Sequence, residues 1–258
     1  RSPIQAGIEL YGFKGIDADI EVIVLMLSSL RLLNISTPTL SLGNTAIFNA
    51  LCDSAHLNSN DKVALRDIFK RKSIPDLDNF LSQNQIKESN KFKSLISLDG
   101  DEKILDEALE VFKDMPTIID AIDDLRKLND FFKDYDTELM FDLGEVKAYE
   151  YHDGIVFAAY IEKYSKAIAQ GGRYDGLSQS FDSPREATGF SFDLKFLIHQ
   201  QAIGLNNKKV LNAPNIANPD FIELINQLRA EGHIIRTDLK GSNEVDFVNE
   251  NGKWKLKE

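Results

Sequence analysis

The stretch "AIAQGGRYDGL", Ala167 to Leu177, gathers three glycines around an arginine, a tyrosine and an aspartate. Glycine at such density can cradle phosphate, close a tight hairpin, or let backbone approach a small ligand. A Walker loop needs a lysine and a hydroxyl after its last glycine, whereas Leu177 and Ser178 follow Gly176. A dinucleotide loop opens a helix with Gly-x-Gly, whereas Gly171 and Gly172 are adjacent and end a run of alternating residues. Neither phosphate loop fits, which leaves the hairpin and the close approach to a ligand. Other chemistry is sparse. His56, His199 and His233 are scattered without metal-ligand spacing, and one cysteine, Cys52, cannot build a thiolate site. No Ser–His–Asp order is persuasive, and "DSPRE" reads as a turn and cap. No metal, cofactor or catalytic residue is expected.

The elements that must position this stretch follow from periodicity. Residues 1–53 read as strand "QAGIELYG", a helix, strand "TLSLG" and a second helix. In the first helix Asp17, Asp19 and Glu21 favour the dipole near its start, and Ile20, Ile23, Val24 and Leu27 form the apolar face. The opening residues resemble mid-strand, so further N-terminal sequence is expected. Residues 54–135 change to amphipathic helices with dense charge, a helical insertion whose charges form a solvated face. Asn60 or Asp61, Asp76 and Asp101 are candidate caps, and Pro116 suits a first turn. Residues 136–205 return to strands, with a hairpin signal at "HDG", alternation through "IVFAAY", and "ATGFSFDLKFLIHQ" as strand into helix. Turn-linked consecutive strands predict an antiparallel sheet. Residues 206–258 form a small α/β tail: strand "KKVLNAP", a helix, strand "HIIRTDL", and a hairpin turned at Asn251–Gly252.

Composition narrows the class. The 258 residues are 43% hydrophobic and 28% charged, as in soluble globular proteins. No apolar run approaches the roughly 18 residues of a membrane span, and the N-terminal residues lack a signal-peptide pattern. A lone cysteine suits a reducing cytosol, and Cys52 reads as a core thiol. The net charge of −11 argues against nucleic acid as an unaided partner, since phosphate recognition needs a basic surface.

"GGRYDGL" followed by "TGFSFDLKFL" resembles a histidine-family signature of class II aminoacyl-tRNA synthetases, that of histidyl-tRNA synthetase. "QAGIELYG" resembles the strand after motif 2 of that family, and "GEVKAYEYHDGIVF" its Arg-Gly-Leu-Asp-Tyr-Tyr signature. Three motifs in order cover about residues 1–200. The resemblance implies an α+β fold: a class II synthetase-like antiparallel sheet flanked by helices, with the insertion and the tail. It also implies a histidine pocket. In the family a glutamine and a glutamate four residues apart hold the amino group and imidazole; Gln5 and Glu9 match, and period-two alternation puts them on one strand face. Tyr174 matches the tyrosine of the glycine signature, with Gly171 and Gly172 packing close beside the ligand. Tyr151 and His152 stand where the family has two tyrosines, leaving open whether His152 becomes the ring that reads the imidazole.

The departures point away from catalysis. The family's catalytic arginine is Lys147, which keeps charge but loses the planar fork, and the next glycine is Ala148. The arginine that neutralises ATP falls at Phe196, and a motif 3 glycine is Asp193. A carboxylate where polyphosphate sits adds repulsion. The tail is smaller than an anticodon-binding domain. A histidine pocket without an ATP site resembles the regulatory subunits of short-form ATP phosphoribosyltransferase. That resemblance implies a non-catalytic, cytoplasmic, self-associating chain that joins a short catalytic subunit in a hetero-octamer. It would activate that subunit and mediate feedback inhibition by histidine, its allosteric ligand, in the first step of histidine biosynthesis. Two alternatives stay open: a divergent histidyl-tRNA synthetase, or a histidine-binding paralogue with another partner.

Overall fold

The computed structural model describes residues 4–146, 152–162, 164–176, 185–194, 197, 210–216, 218–238, 245–250 and 252–257. The chain divides into two compact units, Arg1–Leu197 and Ile198–Glu258.

The first unit begins with β1 (Gln5–Tyr11), α1 (Ile16–Leu32), β2 (Thr39–Asn44) and α2 (Thr45–Ser54). Helices α3 (Ser59–Arg71), α4 (Ile74–Gln83) and α5 (Ser89–Leu95) follow, then the two-residue β3 (Asp99–Gly100), α6 (Lys103–Val111) and α7 (Pro116–Phe132). Strands β4 (Glu138–Asp142), β5 (Ile155–Tyr160), β6 (Ala169–Arg173) and β7 (Ala187–Asp193) complete it. They form one seven-stranded sheet in the order β1-β7-β6-β5-β2-β4-β3. Its pairs are antiparallel except β2 with β4, which run parallel. The expectation of an antiparallel sheet is therefore corrected at that one pair. Parallel neighbours need a crossover, and the helices from α2 to α7 supply it.

One face of the sheet is apolar. Leu40, Leu42, Phe141, Ile155, Phe157, Ala159, Phe190 and Phe192 join Val22, Ile23, Met26 and Leu30 of α1 in a single buried core. Ile47, Phe48 and Leu51 of α2, Leu65 and Phe69 of α3, and Ile122, Leu125 and Leu128 of α7 belong to the same core. The helices between residues 54 and 135 thus contribute apolar stripes to the sheet's own core, while their charges pair at the surface, as Arg71 does with Asp67 and Asp76.

In α1, Ile23 and Leu27 are buried and Ile20 and Val24, half-buried, pack against the same core, with Ala18, Val22, Met26 and Leu30 widening the stripe. Asp17 and Asp19 stand in its first turn as expected, and Asp19 is in addition buried inside the fold. Helix α3 is capped by Asn58, whose side chain accepts from the N–H groups of Asn60 and Asp61, rather than by those two residues. Asp101 does accept from Lys103 N, and Pro116 occupies the first turn of α7.

The second unit comprises β8 (Leu211–Pro214), α8 (Pro219–Ala230), β9 (Ile235–Asp238) and the hairpin β10 (Phe247–Glu250)–β11 (Lys253–Leu256). Strands β8 and β9 are parallel, and Phe221, Ile225, Leu228 and Phe247 close a small core. Asn251 lies outside the described residues; Gly252 has φ 84° and donates its N–H to Asn249 Oδ1.

Candidate functional site

The sheet's second face carries the site. Directly opposed residues project to one side, so Gln5 with Asp193, Glu9 with Gly189, Gln170 with Ser191 and Ala158 with Ser41 share this face. A cleft of about 450 Å³ opens on it, lined among others by Gln5, Ser41, Glu145, His152, Gln170 and Asp193.

The glycine stretch is explained by packing. Gly171 and Gly172, being consecutive in β6, face opposite sides of the sheet. A Cβ on Gly171 would collide with Gly189 O and lie 2.7 Å from Phe157 Cζ. On Gly172 it would fall 2.7 Å from Ile155 O and 2.9 Å from His152 Cδ2, and on Gly176 2.7 Å from Asp153 Oδ2. Each glycine admits a specific neighbour, two of them the polar side chains of His152 and Asp153.

Arg173 anchors the stretch. Its Nε and Nη2 donate to Asp19 Oδ2 at 3.1 and 2.9 Å, Nη2 to Gly15 O at 2.7 Å, and Nη1 to Phe13 O and Asp175. Gly12 and Gly15, with φ 81° and 121°, make the turn that presents those carbonyls. Burial disfavours the guanidinium charge, but Asp19 and then Asp175 hold it protonated, above the usual arginine value. Burial pushes the Asp19 carboxyl up, against the pull of Arg173 and Thr188. Asp175 Oδ1 also accepts from Ala187 N at 3.0 Å, and Asp153 accepts from the N–H groups of Asp175 and Gly176.

These contacts deliver Tyr174. Its hydroxyl donates to Glu9 Oε2. Burial first, then the hydrogen bonds of Glu9 and Tyr11, raise the phenol far above its ordinary pKa. The His152 ring stands 6.2 Å from the Tyr174 ring at an interplanar angle of 64°, and Thr45 Oγ1 donates to His152 O at 3.1 Å. His152 is buried at 7% exposure.

Of the residues singled out in the sequence, Glu9, Tyr174 and His152 come together, and Gln5 shares the cleft with His152. Gln5 and Glu9 lie on one strand face. Lys147, Ala148, Tyr151, Phe196 and His199 lie outside the described residues, as does the strand expected before "HDG". Sequence reasoning gave no role at the site to Asp19, Asp153 or Asp175. Asp19 left a signal: it sits at helical spacing with Val22, Ile23 and Met26, a carboxylate on an apolar stripe. Among the described residues no cluster of histidine, cysteine or carboxylate side chains could hold a metal, and no helix is long and apolar enough to cross a membrane.

The family model that matches, described as histidyl-tRNA synthetase, covers residues 1–197. An ATP phosphoribosyltransferase regulatory subunit from Chromohalobacter salexigens is 35% identical over 269 residues, covering 99% of this chain and 68% of that protein. One from Alkalilimnicola ehrlichii is 37% identical over 256 residues, covering 93% and 62%. The chain therefore spans about two thirds of the length of these relatives. Among solved structures, an ATP phosphoribosyltransferase regulatory subunit/histidyl-tRNA synthetase from Bacillus halodurans C is similar at TM-score 0.71 and 27% identity, covering 94% of this chain and 64% of that one.

Proposed function

The chain belongs to the ATP phosphoribosyltransferase regulatory-subunit family, built on the histidyl-tRNA synthetase fold, and from that premise we propose that it is a non-catalytic subunit that binds histidine and sets the activity of a separate catalytic phosphoribosyltransferase. The observation that carries this is the cluster of Glu9, Tyr174 and His152 beside the cleft. A carboxylate already oriented by a phenol presents its second oxygen to an imidazole N–H, a charge-assisted contact stronger than a neutral hydrogen bond. Gln5, further along the same strand, reads the polar end of the ligand, and Gly172 keeps β6 low beneath it; Gly171, expected beside the ligand, instead faces the apolar core with Phe157 and Phe190. Lys147 and Tyr151 belong to the same proposed pocket on the resemblance of their motif.

In this reading the chain touches no reacting atom. Its partner is a short catalytic subunit of ATP phosphoribosyltransferase, and the two assemble in the cytoplasm as a self-associating hetero-octamer. Binding of this chain favours the partner's active arrangement, and histidine shifts the population back. Since coupling between two binding sites is reciprocal, ligands of the catalytic subunit change histidine affinity by the same factor.

Calorimetry tests the pocket. Glu9→Gln keeps the shape and removes the charged acceptor, so histidine affinity falls by about 1–3 kcal/mol. Equal affinity in the parent protein and the variant would place the histidine site elsewhere.

A further inference from the structure

Strands β2 and β5 run antiparallel as far as Asn44 opposite Ile155. Beyond that pair β2 turns into α2, whose first residue is the buried Thr45, while the chain before β5 is the tripeptide His152–Asp153–Gly154. Thr45 holds this tripeptide twice. Its N–H, one of the donors that a helix start leaves without an intrahelical partner, donates to Gly154 O at 3.0 Å. Its hydroxyl proton is shared between His152 O at 3.1 Å and Gly154 O at 3.2 Å. The end of β6 holds the tripeptide too: Asp153 N donates to Arg173 O at 3.1 Å, and the Asp153 carboxylate accepts from the N–H groups of Asp175 and Gly176. Those contacts fall on Asp153, whereas Thr45 reaches the His152 carbonyl itself.

We propose that Thr45 is a positioning residue of the histidine site, its hydroxyl fixing the His152 backbone and with it the ring that stands beside Tyr174, an inference that rests on the histidine-binding reading above. The His152 ring lies against Gly172, where an added Cβ would fall 2.9 Å from its Cδ2. A glycine puts no side chain there to steer the ring, so the ring's direction depends on where the backbone holds His152. The Thr45 hydroxyl sets that backbone from outside the ligand's reach. Valine has the shape of threonine without the donor, and serine has the donor without the methyl, so the two replacements separate hydrogen bonding from packing. In Thr45→Val, Gly154 O keeps the backbone N–H of residue 45 while His152 O loses the hydroxyl, which directs the damage at the ring-bearing residue.

The test pairs calorimetry on the full-length protein, with L-histidine as the probe, and NMR of the ligand-free, isotope-labelled protein, in which the His152 ring signal is assigned by its loss in His152→Ala. Thr45→Val should weaken histidine binding about tenfold and move the His152 signal, whereas Thr45→Ser should keep both near the parent values. Because Thr45 acts through His152, Thr45→Val should weaken binding little further once His152→Ala is in place. Thr45→Ala gives the same comparison if the valine variant fails to fold. Undiminished affinity or an unmoved His152 signal in Thr45→Val, equal weakening in Thr45→Ser, or a full further loss in the His152→Ala background overturns the role of Thr45 and leaves the histidine site standing. Undiminished affinity in His152→Ala does the same, since the ring would then read nothing. If the parent protein binds no histidine, the histidine reading itself falls, and the role of Thr45 with it.

Discussion

Arg173 reaches back 154 positions to Asp19, its Nε and Nη2 converging on one carboxylate oxygen at 3.1 and 2.9 Å inside the fold. The pair ties β6 to α1, and with Gly15 O and Asp175 it fixes the turn that carries Tyr174. Removing one member of a buried ion pair strands the other. Arg173→Met is expected to destabilise the protein by about 3–5 kcal/mol in urea unfolding. Asp19→Asn should cost less, because Arg173 keeps its contacts with Phe13, Gly15 and Asp175. The double variant should be more stable than the sum of the two losses predicts; strict additivity would mean that the pair is not coupled.

Acid titration separates two kinds of aspartate. The pKa of Asp101 is lowered by the Lys103 backbone N–H and then by the Lys103 side chain. A lowered folded-state pKa gives stability that is present above the unfolded value and lost as pH falls through the folded one. Asp19 has the opposite sign: raised by burial, it contributes most below the unfolded value and loses that contribution as pH rises through the folded one. Asp101→Asn should therefore flatten the acid limb of the melting curve below about pH 4, whereas Asp19→Asn should act above about pH 4, removing the stability that the parent protein gains as pH falls from the raised Asp19 value toward the ordinary carboxylate range. Differential scanning fluorimetry across both ranges reads the two slopes.

Gly189→Ala would force the new methyl against the Glu9 carboxylate and within 2.5 Å of Ile8 O. Overpacking of this kind costs about 1–3 kcal/mol. The displaced Glu9 should also lose its contact with Tyr174, so histidine affinity falls together with stability. Unchanged histidine binding in a folded Gly189→Ala protein would show that the Glu9–Tyr174 contact does not build the pocket.

Cys52 is fully buried in α2, and burial raises its thiol to about 12. With almost no thiolate at neutral pH, it should resist a disulfide reagent in the native protein and react at once in denaturant. Rapid labelling of the folded chain would contradict its place in the core.

What was legible in the sequence was what local pattern determines. The alternation in "QAGIELYG" puts Gln5 and Glu9 on one face, and the helical stripes of α3 to α7 are visible in their spacing. The parallel β2–β4 pair was not legible, because it depends on a long crossover rather than on the strands. Nor was the reason for the glycines: Gly172 answers to His152, Gly176 to Asp153 and Gly189 to Glu9, partners set by tertiary contact. Asp19 was read from its neighbours as a helix-start charge, and its partner Arg173 lies in a different motif.

The central claim is that histidine bound beside Glu9 and Tyr174 regulates a catalytic partner. It is tested most directly by mixing the full-length protein with a short catalytic phosphoribosyltransferase and titrating histidine while turnover is measured. The catalytic subunit should turn over faster with this chain than alone, histidine should inhibit the complex, and Glu9→Gln should shift the inhibition to higher histidine by about tenfold or more while leaving activation intact. Activation with an inhibition curve identical in Glu9→Gln would contradict it, since histidine would then act at another site in the assembly.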